Sequence, residues 1–118
     1  MNYILICDDV IDNCILLQLF LEIQGYTVEF VTSGIEAINK IRLKKPDLLL
    51  LDVMMPDISG FEVVKVIRED KCLQNLPILL VTAYKELFEP QLTNTQVNGV
   101  IYKPVDPDVL FERVNEVL

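Results

Sequence analysis

Leu48-Leu49-Leu50-Leu51-Asp52-Val53-Met54-Met55-Pro56-Asp57-Ile58-Ser59-Gly60 is the stretch from which the fold is read. Its four leucines, bounded by Asp47 and Asp52, fall far short of the ~20 apolar residues that a membrane span needs. An apolar run without polar alternation is the mark of a parallel strand covered on both faces. A few residues on, Ser59-Gly60-Phe61-Glu62 forms a capping box, in which the serine and the glutamate satisfy each other's backbone donors, and it opens a helix through about Asp70. Asp52 therefore stands at the carboxyl end of a buried strand, ahead of a loop and a helix.

The pattern repeats in both directions. Upstream, Ser33-Gly34-Ile35-Glu36 is a second capping box, opening a helix that runs towards Lys45 and ends before Pro46. Tyr26–Val31 precedes it as a strand. Val10–Gln24 carries apolar residues at helical spacing and stops at Gly25, and Tyr3–Cys7 is an apolar strand ending in Asp8 and Asp9. Downstream, Pro77–Thr82 is a fourth strand and Val100–Tyr102 a brief fifth. Lys85–Asn98, with Pro90 in its middle and Thr93-Asn94-Thr95 after it, reads as a short or irregular helix. Asp106-Pro107 supplies an N-cap and a proline at the first helical position, which starts the last helix.

Strands alternating with helices throughout predict an α/β domain, with a parallel sheet between two helical layers. Five βα units in 118 residues suit one domain over residues 1–118. The expected arrangement is the flavodoxin-like doubly wound (βα)5 sandwich, with a five-stranded sheet of order 2-1-3-4-5. In that order the functional crevice lies at the carboxyl ends of strands 1 and 3.

Composition narrows the chemistry. A net charge of −8 argues against direct binding to nucleic acid, which demands a basic patch. With no membrane span and no signal-peptide order at the N-terminus, a soluble cytoplasmic protein is expected. Cys7, Cys14 and Cys72 form an odd set without a CxxC pair and read as free thiols in a reducing compartment. The chain contains no histidine. His-based zinc sites, Ser-His-Asp triads and any internal phosphohistidine are thereby excluded, and a histidine used in phosphoryl transfer must belong to a partner.

The strand ends deliver a coherent set. Strand 1 brings Asp8 and Asp9, strand 3 Asp52, strand 4 Thr82 and strand 5 Lys103. Singly, each has a bland explanation: a helix cap, a loop acid, a strand-end hydroxyl, a solvated amine. Together they would place three carboxylates, a hydroxyl and an ammonium in one crevice. Clustered carboxylates raise one another's pKa, and a hard divalent cation relieves that repulsion. Mg²⁺ suits one or two carboxylates plus waters and a substrate phosphate. Such a site fits phosphoryl transfer, with a carboxylate as nucleophile and no general base required.

At this point the sequence resembles a known family. The Asp52-x-x-Met55-Pro56-x-x-x-Gly60 segment after its apolar strand, the Asp8-Asp9 pair, Thr82-Ala83 and Lys103-Pro104 are similar to response-regulator receiver domains of two-component signalling, over essentially the whole chain. The resemblance implies that Asp52 is the phosphoacceptor, fed by a sensor histidine kinase or histidine phosphotransfer protein. It implies that Asp9, Asp52 and the Met54 carbonyl bind Mg²⁺, with Asp8 acting mostly through water. Thr82 and Lys103 would contact the phosphoryl group, and the Lys103–Pro104 peptide would be cis. The domain would act as a signalling switch that catalyses only its own phosphorylation and dephosphorylation, acting on a downstream protein the sequence does not name. Met54 and Tyr84 fall where relatives tune acyl phosphate lifetime, and their bulk here implies restricted water access.

Two features stand apart from the family pattern. Many relatives carry an aromatic residue three before the lysine, where this chain has Val100; Tyr102, directly before Lys103, shares the face of Val100 in a strand. The first helix also carries two apolar stripes. Leu16, Leu17, Phe20 and Leu21 are expected to face the core, leaving Ile11, Ile15, Leu19 and Ile23 as an outer ridge for docking a partner's helices. The main competing function is a receiver-like interaction scaffold in which phosphorylation plays no part. A phosphatase of the haloacid dehalogenase type is disfavoured, because the second acid it needs is replaced by Met54. A homodimer remains compatible with the sequence.

Overall fold

The computed structural model describes residues 2–83 and 97–118. Five strands, β1 (Tyr3–Cys7), β2 (Thr27–Val31), β3 (Leu48–Asp52), β4 (Ile78–Thr82) and β5 (Gly99–Tyr102), alternate with helices α1 (Ile11–Ile23), α2 (Gly34–Leu43) and α3 (Gly60–Glu69), and α4 (Pro107–Val117) follows β5. The sheet order is β2-β1-β3-β4-β5 with every neighbouring pair parallel. This is the expected flavodoxin-like doubly wound topology. The irregular stretch read at Lys85–Asn98 lies outside the described residues except for Val97 and Asn98. Asn98 extends the sheet: its backbone N–H donates to the Ile78 carbonyl at 2.8 Å, and its side-chain oxygen accepts from the Ile78 N–H at 2.8 Å.

Burial follows the sheet order. The inner strands β1, β3 and β4 are buried along their whole length, whereas edge strand β2 is buried only at Val28. That contrast separates the unbroken apolar runs of the inner strands from the mixed Thr27-Val28-Glu29-Phe30-Val31 of the edge. One face of the sheet (Leu5, Cys7, Leu49, Leu51, Ile78, Leu80) packs on Ala37, Ile38 and Ile41 of α2 and Val63, Val64 and Ile67 of α3. The other (Ile4, Ile6, Leu48, Leu50, Leu79, Val81, Ile101) packs on Cys14, Leu17 and Leu21 of α1 and Leu110 and Val114 of α4. Each fully buried aliphatic side chain contributes roughly 1.5–3 kcal/mol by leaving water.

Of the two capping boxes expected, the one at Ser59 forms in full, whereas at Ser33 only the serine half forms and the Glu36 carboxylate accepts from the Thr32 N–H at 3.2 Å instead. The Ser33 hydroxyl accepts from the Glu36 N–H at 3.1 Å, and Ser59 and Glu62 complete a reciprocal capping box. The Asp106 carboxylate accepts from the Asp108 N–H at 2.8 Å, with Pro107 as the first helical residue. Gly25, at φ +93°, turns the chain out of α1 in a conformation that side-chain-bearing residues avoid. A further expectation is corrected. Leu16 does not face the core: it is 47% exposed. Successive helical residues are rotated by about 100°, so the narrow inward stripe of Cys14, Leu17 and Leu21 leaves Leu16 on the flank.

Candidate functional site

The carboxyl ends of β1, β3, β4 and β5 meet at one end of the sheet, and the alternation of side chains there is decisive. Asp8 follows β1 directly and is 1% exposed; Asp52 closes β3 at 7%, and Thr82 closes β4 at 1%. Asp9 is exposed at the rim. One carboxylate oxygen from each of Asp8, Asp9 and Asp52 can be chosen so that all three lie within 4.8 Å of one another. Lys103, one residue beyond β5, points into this group. Its Nζ lies 2.9 Å from Asp8 Oδ2 and 3.6 Å from Asp52 Oδ1. The Lys103–Pro104 peptide is cis.

Asp8 is the best-satisfied of the three acids. Its Oδ1 accepts from the Val10 N–H at 2.9 Å, and its Oδ2 accepts from Lys103 and from the Asn13 side-chain amide at 3.3 Å. Asp52 receives one backbone donor, the Val53 N–H, at 2.9 Å. Burial, reinforced by the negative charge of Asp8, raises the Asp52 pKa to about 6, against the pull of Lys103 and the Val53 N–H. For Lys103, burial alone would lower the pKa, but contact with Asp8 and Asp52 outweighs it and the ammonium is held more firmly than usual. Three carboxylates thus face one cation. An all-oxygen donor set with that surplus of negative charge and an open rim fits a small hard divalent ion.

The loop after β3 is held from both sides. Gly60 N–H donates to the Val53 carbonyl at 2.8 Å, and a Cβ on Gly60 would collide with the backbone carbonyl of Asp52. This is why a glycine ends the motif: only a residue without a side chain lets α3 start against the strand that carries Asp52. Asp57 reaches across to α2 and accepts from the N–H groups of Gly34 (3.2 Å) and Ile35 (2.9 Å). These bonds, that to Ile35 foremost, hold its carboxyl below the usual carboxylate range. The Cys7 thiol, its pKa pushed far up by burial, donates to the Ser33 carbonyl and touches Met55 Sδ.

The remaining sequence candidates fall as follows. Met54, two residues beyond Asp52, is 55% exposed. Tyr84 lies outside the described residues. Ile11 (55%), Ile15 (42%), Leu19 (53%) and Ile23 (78%) form an exposed ridge along α1, away from the core stripe. Val100 packs against the core on the α2–α3 face, and Tyr102 is the register partner of Thr82. Asn13 and Asp57 were not singled out from the sequence, because each acts on a backbone or side chain that only the folded chain brings near. A cavity of about 440 Å³ opens beside the site between α1 and the β5–α4 connection, lined by Asn13, Leu16, Leu17, Val81, Lys103 and Pro104 among others.

With this geometry in place, likeness to known proteins becomes informative. The response regulator receiver domain family matches residues 4–115, and the chain belongs to that family. It is 39% identical over 116 residues to the alkaline phosphatase synthesis transcriptional regulatory protein PhoP of Bacillus subtilis, covering 98% of this chain and 48% of PhoP. It thus spans about half the length of that relative. The polar-differentiation response regulator DivK of Brucella ovis is 32% identical over 111 residues, covering 91% of this chain and 90% of DivK. Among solved structures, response regulator protein TrrA of Thermotoga maritima, in complex with Mg²⁺-BeF, superposes with a TM-score of 0.91 at 34% identity, covering 100% of both chains. The protein is therefore a receiver domain of two-component signalling, the class that takes phosphoryl groups from histidine kinases. No helix among the described residues is long and apolar enough to cross a membrane.

Proposed function

We propose that this domain is a phosphorylation-dependent switch in which Asp52 accepts a phosphoryl group from a phosphohistidine of a sensor histidine kinase or histidine phosphotransfer protein, in the cytoplasm. The observation that carries the reading is the placement of Lys103 between Asp8 and Asp52, at a rim where Asp9 adds a third carboxylate. An Asp52 oxygen attacks phosphorus as the bond from phosphorus to the partner's imidazole nitrogen breaks. The electron pair stays on that nitrogen, which takes a proton from water, and Asp52 is left as an acyl phosphate. Lys103 moves its ammonium onto a phosphoryl oxygen, and the Thr82 hydroxyl donates a hydrogen bond to another. Asp9, Asp52 and the Met54 carbonyl would hold Mg²⁺, with Asp8 acting through water; when bound, the ion neutralises charge spread over the transferring group. Hydrolysis of the acyl phosphate resets the domain, and the bulk of Met54 slows water's approach.

The α1 ridge serves as the docking face for the histidine-bearing helices, since exposed apolar stripes of this kind mark interfaces. A changed surface in the phosphorylated form is then read by a downstream protein.

Incubation with acetyl phosphate and Mg²⁺, followed by intact mass measurement, tests the chemistry. The wild type should gain one phosphoryl group and Asp52→Asn none; a gain in both, or in neither, defeats the reading. The double change Ile15→Glu/Ile23→Glu should slow transfer from a phosphorylated partner while leaving acetyl phosphate labelling intact, and equal loss of both would show the ridge to be structural.

A further inference from the structure

Asp8 is 1% exposed, yet the amine that neutralises it is the same amine required at the phosphoryl group. Lys103 sits nearer Asp8 (2.9 Å) than Asp52 (3.6 Å). Engaging a group attached to Asp52 draws the ammonium away from Asp8 Oδ2. A buried carboxylate deprived of its cation is costly unless other donors remain. Among the described residues one side chain other than Lys103 donates to that oxygen: Asn13, whose amide nitrogen lies 3.3 Å away. Asn13 occupies the first turn of α1, and helical side chains lean towards the helix N-terminus, which aims the amide back at the β1–α1 corner. It is half-buried, on the wall of the cavity that opens at Lys103.

We infer that Asn13 is a positioning residue for the phosphoryl-transfer reaction: it holds Asp8 Oδ2 while Lys103 exchanges that oxygen for the phosphoryl group. The inference rests on the reading of Asp52 as phosphoacceptor. Val10 N–H secures the other oxygen, Asp8 Oδ1, so the carboxylate keeps one donor on each oxygen through the exchange. Before the exchange Lys103 masks the contribution of Asn13; afterwards the amide is the only side-chain donor left on Asp8 Oδ2 among the described residues. Its effect is therefore felt in the phosphorylated state rather than in the resting one.

The test uses beryllofluoride as the phosphoryl mimic, with occupancy read by ¹⁹F NMR at saturating Mg²⁺ and binding of Mg²⁺ alone read from the Val53 amide shift. Asn13→Leu keeps the branched side-chain shape and removes the donor; Asn13→Gln keeps an amide. Asn13→Leu should weaken beryllofluoride binding by about 3- to 10-fold, the scale of one ordinary net hydrogen bond, as suits a long 3.3 Å contact, while the affinity for Mg²⁺ alone stays within about 2-fold. Asn13→Gln should restore at least half of the loss. Unchanged beryllofluoride binding in Asn13→Leu overturns the proposal. So does an equal loss for both ligands without rescue by glutamine, which marks a general packing role. Should Asn13→Leu fail to fold, Asn13→Ala, a better helix former, carries the same comparison. A wild type that binds Mg²⁺ but not beryllofluoride overturns the phosphoacceptor reading and this inference with it, whereas normal wild-type binding with an indifferent Asn13→Leu overturns this inference alone.

Discussion

Two charged regions of this domain use the same residue types to opposite ends. Along the β2 edge, Glu29 sits between Lys40 (3.6 Å) and Lys44 (3.9 Å), and Lys44 Nζ also lies 4.3 Å from the centre of the Tyr3 ring. There cations outnumber the acid, and all three charged side chains are at least a third exposed, although Glu29 Oε1, the oxygen that faces both lysines, is itself covered. At the carboxyl ends of the strands the ratio is reversed: three carboxylates face one lysine, and two of them are buried. The edge cluster is a solvated network whose charges cost little and contribute little. The strand-end cluster is a site of electrostatic stress, of the kind that a hard divalent cation relieves. Charge imbalance under burial separates a functional cluster from a decorative one.

That contrast is open to direct attack. Lys103→Ala leaves Asp8 buried without its cation and should cost the metal-free protein about 2–4 kcal/mol, read from urea unfolding at neutral pH. A cost below about 1 kcal/mol would place the two clusters on the same footing. Asp52→Asn should act in the other direction. The folded pKa of Asp52, about 6, stands above the ordinary value of 3.8, so the folded state binds the proton more tightly and stability is lost as pH rises through that window. The neutral variant should therefore be more stable than wild type by up to about 3 kcal/mol at pH 7.5, an advantage that shrinks as pH falls from about 6 and is nearly gone by about pH 4. A variant less stable than wild type across this range contradicts the stress.

Mg²⁺ should stabilise the wild type by about 1.4 kcal/mol at ten times its dissociation constant, seen as a rise in melting temperature, and should do much less for Asp52→Asn. Smallest of all, Glu29→Gln should shift stability by less than about 1 kcal/mol and leave Mg²⁺ affinity untouched. A change in metal binding on that substitution would couple two regions that the contrast holds separate.

How much of this was legible beforehand depends on the range of the interaction. Leu48–Asp52, the two serine caps, Asp106-Pro107 and the Gly25 stop were readable because each signal lies within about four residues of its effect. The α1 ridge was readable as a periodic pattern, though Leu16 was assigned to the wrong face: where nearly every position of a helix is apolar, periodicity alone cannot locate the buried stripe. The convergence of Asp8, Asp9, Asp52, Thr82 and Lys103 followed from topology, since parallel strands in this order bring their carboxyl ends together. The clasp of Asp57 on α2 and the hold of Asn13 on Asp8 were not readable, because neither residue differs locally from an ordinary loop acid or helix amide.

The sequence by itself determined which segments are strands and helices, where the acids stand along them, and that any histidine in the reaction comes from elsewhere. Those are properties of near neighbours and of composition. Only the tertiary structure decided that Lys103 pairs first with Asp8, 95 residues away, rather than with Asp52. It likewise decided that burial raises the Asp52 pKa to about 6. Sub-ångström differences between competing carboxylates, and the water excluded around them, arise when the strands and helices close on one another. No local pattern of residues encodes them.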